Sequence, residues 1–276
     1  MCVSFRTTLL LSFFIFYVFL HAPYCAGAEE PNSFLTGGTG FEQLTYKEQL
    51  PEIELNSSDT HLTNWILFVE IQKSLDDFFW GAKGYFPLST ASSQEYWTRE
   101  GAIEQTNDLT YRWTRAAAHA GYFLHPLLHP YLGIHWAYSE QERSSFEIGS
   151  MPGVIHATAT EDVYSFSALF GMKGGFSIAS RWSLSYFAEY MLPFYSSITN
   201  SLLPGWEASR INGYAYAITG RLLYALNETV SAALQVTGGK QHWEGSGWIQ
   251  TGTSSAKWPE NDTDFRSLSL CLFRYF

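Results

Sequence analysis

The chain has 276 residues, a formal net charge of −10 and an aromatic content of 17%. A charge this negative argues against a nucleic-acid-binding protein, and the aromatic excess is typical of the interfacial girdles of membrane β-barrels. Beyond residue 28, Cys271 is the single cysteine, so no internal disulfide is expected.

Residues 1–28 are predicted to be a signal peptide. Arg6 precedes an apolar run, Leu9 to Leu20, that only Ser12 interrupts. This run is too short to cross a bilayer comfortably but suits a signal-peptide core. Ala26-Gly27-Ala28 forms a small-x-small cleavage site, so we expect cleavage after Ala28 and a mature domain over 29–276. The alternative is an uncleaved membrane anchor.

The mature segment predicts ten β-strands in which apolar and polar residues alternate with a period of two. In the ninth, for example, Val230, Leu234 and Val236 alternate with Ser231 and Gln235. The strands are predicted at roughly 39–50, 61–73, 77–89, 107–124, 130–145, 160–176, 181–196, 211–226, 229–243 and 263–276.

The connections between these strands alternate between short and long. The long ones, rich in Ser, Thr, Gly, Asn and Pro, are predicted at 51–60, 90–106, 146–159, 197–210 and 244–262. Short periplasmic turns and long outer loops are typical of outer-membrane barrels. The sequence therefore predicts an all-β, membrane-spanning, antiparallel up-and-down barrel of about ten strands. A soluble lipocalin-like or sandwich protein is the alternative, although soluble strands are usually shorter.

The last predicted strand has one apolar face formed by Leu268, Leu270 and Leu272, and the sequence stops at Phe276. This resembles the C-terminal strand of bacterial outer-membrane barrels, which usually ends in Phe. Arg274 departs from that pattern because an outward apolar residue usually stands there. The alternative is an ordinary edge strand, but an exposed apolar edge favours aggregation in a soluble protein.

Several stretches resemble the omptin family of outer-membrane endopeptidases. They are Ala118 to Ile148, with a Pro-containing turn and a Leu-Gly centre, Trp97-Thr98, and Asn64-Trp65 followed by Gly81-Ala82. The similarity is loose but extends over nearly the whole mature segment. It implies a ten-stranded barrel in the bacterial outer membrane with its site at the extracellular rim.

The resemblance also implies catalytic residues, which this sequence lacks at the matching positions. Omptin catalysis needs a carboxylate pair facing an Asp-His pair, with water activated between them. After the third strand the chain reads Phe86 to Thr90, Arg99 follows Trp97-Thr98, and Ser196 to Asn200 follow the seventh strand. We therefore do not expect peptidase activity at the family's own positions.

Other residues could form a site at the predicted loops. Asp108, His156 and Glu161 are candidates for a rebuilt carboxylate–imidazole site, although solvated loop polarity explains them more simply. Aromatic residues often anchor molecular contacts, and they equally form girdles. The loop tryptophans that are candidates for recognition are Trp97, Trp206, Trp248 and Trp258.

No metal site or cofactor is expected, because the histidines His119, His125, His129 and His135 lack a completing set of ligands. Charged side chains are predicted to fill the lumen with salt bridges, which argues against a wide pore. These residues are Lys83, Arg112, Arg115, Glu140, Glu142, Arg143, Lys173, Glu189 and Arg221.

Three functional hypotheses follow. The favoured one is a non-peptidase barrel whose outer loops bind a surface partner or that supports the envelope. The alternatives are an omptin-like endopeptidase with a rebuilt site and a small channel. The expected partners are outer-membrane lipid, lipopolysaccharide as a bound lipid, the barrel-assembly machinery and an extracellular ligand, with the chain a monomer.

Overall fold

The computed structural model describes residues 33–125, 127–149, 153–251 and 254–276. The predicted signal peptide, residues 1–28, lies outside these ranges. Within them no helix is long and apolar enough to cross a membrane.

The described residues form one closed antiparallel barrel with ten wall strands. Each strand pairs with its neighbour in the chain, and the last pairs with the first, where Phe34 lies opposite Tyr275 and Gln49 opposite Glu260. The wall consists of β1 (Phe34–Leu50), β3 (Thr60–Leu75), β4 (Phe78–Pro87) continued by β5 (Ala91–Arg99), β6 (Ala102–Tyr122), β7 (His129–Ile148), β8 (Val154–Ala179), β9 (Trp182–Asn200), β11 (Gly213–Ala225), β12 (Val230–Trp243) and β15 (Glu260–Tyr275). The predicted all-β barrel is confirmed.

Several short elements outside the ten wall strands lie at one end of the barrel. They are a 3-10 turn (Pro51–Ile53), β2 (Leu55–Ser57), β10 (Glu207–Ser209), β13 (Ile249–Thr251) and β14 (Ser254–Ala256). We call this the loop end, and the opposite end, where residues 76–77, 180–181 and 226–229 make tight connections, the turn end.

Two of the predicted long loops are wrong. The stretch 90–106 is mostly strand, because β5 and β6 join in a tight hairpin at Glu100-Gly101, and both residues have positive φ. The stretch 146–159 likewise belongs largely to β7 and β8. These extensions carry polar residues on both faces, so they lack the alternation that marks a strand inside the membrane. Ladder pairing with neighbouring strands holds them extended instead.

Alternation along each strand sends apolar side chains outward to form an apolar belt. On β15 the belt runs through Leu268, Leu270 and Leu272, which face outward between Arg266 and Arg274. Arg274 thus lies at the turn-end border of the belt, where a long cationic side chain can reach the lipid headgroups. On β7 and β8 the belt ends with Tyr138 and Tyr164, whose rings lie 4.6 Å apart.

Charged residues occupy the outer face beyond the belt. Arg112 and Glu140 form a half-exposed pair at 3.4 Å on this part of the wall, and Lys47 and Asp59 form another at the same distance. The loop-end part of the barrel therefore stands clear of the apolar belt, as expected for strands longer than the membrane requires.

The lumen is filled by side chains in three layers. The loop-end layer surrounds Arg143, the middle layer contains the Arg115–Glu42 pair, and the turn-end layer contains the Arg221–Glu70 and Lys83–Glu189 pairs. Of the predicted lumen charges, Arg112, Glu140 and Glu142 instead face outward, which corrects that part of the prediction.

Aromatic rings close the remaining space in the middle layer. The Arg115 guanidinium lies 4.1 Å from the Trp113 ring and 4.8 Å from the Phe265 ring. Nearer the turn end, Gly171 leaves room for the Tyr131 ring, because a Cβ at this position would lie 2.1 Å from that ring. The Tyr131 hydroxyl then donates to Glu189 across 2.7 Å.

Candidate binding site at the loop end

A cleft of about 180 Å³ opens at the loop end of the lumen, and we call it the rim cleft. Several strands contribute to it because their inward positions converge where the barrel ends. Its lining residues are Glu48, Trp97, Gln105, Arg143, Glu161, Asn200, Leu203, Trp206, Lys257, Trp258 and Pro259.

Arg143 organises the floor of the rim cleft. One guanidinium nitrogen lies 2.8 Å from Oε2 of Glu48, and Nε lies 2.7 Å from Oε2 of Glu95. Asn107 donates a further hydrogen bond of 2.9 Å to Glu95. Both carboxylates are almost wholly buried, so this fork fixes three strands relative to each other.

Glu161 is the third carboxylate of the cluster, and it forms no salt bridge with any arginine that the structure describes. Its Oε1 accepts a hydrogen bond of 2.7 Å from the Trp258 indole Nε1. The loop that carries Trp258 is held in place by Ser246, because the Trp258 backbone N–H donates to Ser246 Oγ at 2.8 Å. A reciprocal bond of 3.0 Å joins the Ser246 N–H to the Trp258 carbonyl.

These carboxyl groups lie beyond the apolar belt, and their acidities differ. Burial raises the pKa of Glu48 to about 7, against the opposing charge of Arg143 and with the help of Glu161 and Glu95. Burial also raises the pKa of Glu161, although Arg143 and hydrogen bonds from Trp258 and Asn200 oppose it. For Glu95 burial acts in the same direction, but the charge and hydrogen bonds of Arg143 outweigh it and lower the pKa.

The cluster carries more negative than positive charge. Glu48 and Glu95 contact the Arg143 guanidinium and Glu161 lies within range of its charge, so an excess of two negative charges remains when all three are ionised. The remaining cation of the lining, Lys257, pairs with Glu52, an exposed residue outside the cleft. A buried charge excess is costly unless a counter-charge compensates it. The rim cleft is therefore suited to accept a positively charged group.

Three indoles surround the carboxylates. Trp97, Trp206 and Trp258 are 7%, 5% and 1% exposed, so their rings are packed inside the loop end of the barrel and are not on its outer surface. The Trp206 indole N–H has no hydrogen-bond partner among the described residues. A buried donor without a partner can be satisfied by a ligand acceptor.

The structure gathers some predicted site residues and separates others. Glu161, Trp97, Trp206 and Trp258 meet in the rim cleft. Trp248 is 57% exposed and does not line the cleft.

The three residues of the proposed rebuilt site are not brought together. Asp108 and His156 are exposed, whereas Glu161 is buried in the lumen. On β8 the lumen-facing positions around Glu161 are the odd-numbered ones, such as Val163. The carboxylate of Asp108 and that of Glu161 thus lie on opposite faces of the barrel wall.

Sequence reasoning missed Glu48 and Glu95, the two main partners of Arg143. The inward orientation of Glu48 could have been predicted from the alternation along its strand. Glu48 shares the parity of Glu42, Leu44 and Tyr46, all of which face inward on β1. Glu95 had no such signal, because its strand lies in a stretch predicted as loop.

The barrel is similar to several solved structures. The outer membrane protease OmpT from Escherichia coli matches with a TM-score of 0.68 at 12% sequence identity, over 91% of this chain and 99% of that chain. The transport unit of the Escherichia coli autotransporter AIDA-I matches at 0.42 and 8%, over 96% and 97%. The NalP translocator domain from Neisseria meningitidis matches at 0.39 and 11%, over 98% and 96%.

No protein-family model matches the chain, and no curated protein matches its sequence. At 12% identity the likeness to OmpT extends to the fold alone. The chain thus has the architecture of an outer-membrane β-barrel.

Proposed function

We propose that the chain is an omptin-like outer-membrane barrel that binds an extracellular ligand in the rim cleft and does not cleave peptides. The observation that carries this proposal is the buried cluster of Glu48, Glu95 and Glu161 around a single Arg143, open to solvent and lined by indoles. The ligand would present a cationic group to Glu48 and Glu161, with an apolar or aromatic face against the tryptophans.

The absence of a peptidase function is supported by the residues at the positions that match the omptin catalytic set. Arg99 follows Trp97-Thr98, and Thr199-Asn200 follow the seventh predicted strand. Asn200 lines the rim cleft, where its amide can donate a hydrogen bond but cannot act as a general base at neutral pH.

A channel function is disfavoured by the filled lumen. The Arg115–Glu42 pair is almost wholly buried in the middle layer, with Tyr85, Trp113 and Phe265 packed around it. We expect no stable single-channel conductance from the wild-type protein in a planar bilayer.

We further propose that the apolar belt contacts outer-membrane lipid, with lipopolysaccharide as a bound lipid, and that the barrel-assembly machinery inserts the chain as a monomer. The outward tyrosines Tyr138 and Tyr164 at the loop-end border of the belt support an interfacial position.

Calorimetric titration of the refolded barrel in an uncharged detergent tests the proposed binding. The probe is N-acetylarginine amide, and its uncharged counterpart is N-acetylcitrulline amide. We expect the cationic probe to bind more tightly by about tenfold or more, because a hydrogen bond to a charged group is worth about 1.5–3 kcal/mol. Glu161→Gln should remove most of this preference.

Glu147→Gln is the matched control, since Glu147 is an exposed carboxylate at the same end of the barrel. It should leave binding unchanged, and heat-modifiable gel mobility should confirm that each variant has folded. Equal binding of the two probes would refute the cationic ligand. Cleavage of a fluorogenic peptide library by the folded wild type would instead favour the peptidase alternative.

A further inference from the structure

A second cavity lies at the opposite end of the lumen. It is open to solvent and has a volume of about 680 Å³, which is within the range of small-molecule sites. Aromatic and aliphatic residues such as Phe123, Leu223, Phe273 and Tyr275 supply most of its wall, and Lys173 is among its few charged groups. We call it the turn-end cavity.

The charges around this cavity are all basic. The chain as a whole carries a net charge of −10, yet the described residues that line the cavity include Lys173, Arg221, His125 and His129 and no carboxylate. Such a local reversal of sign makes the cavity attractive to an anion.

The positive charge of Arg221 is already compensated within the wall. Its guanidinium contacts the carboxylate of Glu70 and donates a hydrogen bond of 2.6 Å from Nε to Gln235. Lys83, a second cation of the same layer, lies 2.6 Å from Glu189. Each of the two buried carboxylates of the turn-end layer therefore has a cation.

Lys173 is the cation that remains. It is 6% exposed, it forms no salt bridge to a described carboxylate, and its ammonium contacts the amide oxygen of Gln72. The ammonium lies 3.3 Å from the centre of the Phe79 ring and 6.0 Å from that of Phe123. Ring faces stabilise a cation by about 2 kcal/mol when it is desolvated, which is less than the cost of burying an unpaired charge.

We propose that the turn-end cavity binds a small amphiphilic monocarboxylate. Its carboxylate would pair with the Lys173 ammonium, and its apolar or aromatic body would pack against Phe123 and Phe273. One uncompensated cation matches one negative charge, so a carboxylate fits better than a doubly charged phosphate ester. This site is separate from the rim cleft and does not depend on the function proposed there.

The test uses the full refolded chain in an uncharged detergent, with 6-fluoro-2-naphthoate as the probe observed by ¹⁹F NMR. The neutral 6-fluoro-2-naphthamide measures simple partitioning into the detergent and the apolar wall. We expect a saturable shift for the naphthoate alone. Lys173→Met should weaken it by about tenfold or more, and Lys173→Arg should retain it.

Lys257→Met is the matched control, because Lys257 lines the rim cleft at the other end of the barrel. It should leave naphthoate binding unchanged. A second pair of variants keeps the test decisive if Lys173→Met does not fold. Ser185 lines the cavity, so Ser185→Glu should repel the naphthoate, whereas Ser185→Gln should bind it nearly as well as the wild type.

The proposal is overturned if the naphthoate and the naphthamide behave alike, since binding would then be partitioning only. It is also overturned if a folded Lys173→Met or Ser185→Glu variant binds the naphthoate as the wild type does. Neither result would bear on N-acetylarginine amide at the rim cleft, so the two sites can fail independently.

Discussion

The two ends of the lumen leave charges of opposite sign uncompensated. At the loop end, one arginine serves three glutamates, whereas at the turn end three cations share two glutamates. Between them, the Arg115–Glu42 pair balances. Because successive side chains of a strand point to opposite faces, alternation determines which residues face the lumen. It does not ensure that the charges of those residues balance. Among the described residues, the excess occurs where the lumen opens to solvent, which is expected if those charges serve ligands.

Removing the arginine of the balanced middle layer should cause the largest decrease in the free energy of unfolding. Arg115→Ala would leave the carboxylate of Glu42, which is 1% exposed, without a counter-charge. A buried charge that loses its partner costs about 3–5 kcal/mol, and the loss should appear in denaturant unfolding of the vesicle-inserted barrel. Arg112→Ala, on the same strand but in a half-exposed pair with Glu140, should cost less than about 1 kcal/mol. Equal costs would contradict a filled, desolvated middle layer.

Replacing either of two lysines of the turn-end layer should change the free energy of unfolding in different ways. Lys83→Met leaves Glu189 without its partner at 2.6 Å, so the free energy of unfolding should fall by about 3 kcal/mol or more. Lys173→Met removes a cation that has no carboxylate, so stability should stay the same or rise by about 1 kcal/mol. The same unfolding experiment measures both. A loss for Lys173→Met as large as that for Lys83→Met would show that its charge is compensated, and the contrast between the ends would fail.

The acidic loop end should make stability depend on pH. Folding raises the pKa of Glu48 from its ordinary 4.5 to about 7. The folded state therefore holds this proton more tightly, and the stabilisation it provides is complete below about pH 4.5 and lost as the pH rises through 7. We expect the free energy of unfolding to fall by about 2–3 kcal/mol from pH 4.5 to pH 8.

Glu48→Gln should flatten this pH dependence, because the amide is neutral throughout. Glu147→Gln changes an exposed carboxylate at the same end and should leave the slope intact. If the free energy of unfolding of Glu48→Gln still falls with pH as in the wild type, the proton is bound by another group of the cluster.

The wall of the barrel could be predicted from sequence because one physical rule governs it. Lipid outside and packed side chains inside impose alternation, as in Leu268, Leu270 and Leu272 on β15. Where the wall leaves the membrane, that constraint disappears. The stretches 90–106 and 146–159 were consequently predicted as loops, although neighbouring strands hold most of their residues in the sheet.

The candidate site was only partly predictable for the same reason. The indoles of Trp97, Trp206 and Trp258 stood out by residue type, but their convergence depends on how three separate loop-end segments fold over the lumen. Glu95 lies in one of the extended hairpins, so its inward orientation had no sequence signal. Charge balance is a further property of the assembled ring, since Arg143 and Glu48 are 95 positions apart in the chain.

Two buried indoles at the loop end allow the smallest and sharpest comparison. Trp258→Phe removes the donor to Glu161 and should cost about 1.5–2 kcal/mol, because a buried carboxylate loses a hydrogen bond. Trp206→Phe removes an N–H that has no partner in the described structure, so it should cost only the lost packing and less than Trp258→Phe by about 1.5 kcal/mol. Both substitutions replace a buried indole by a smaller ring, so each controls for the other's loss of packing. If Trp206→Phe is as costly as Trp258→Phe, the Trp206 N–H already has a partner in the folded protein and is not free to bind a ligand.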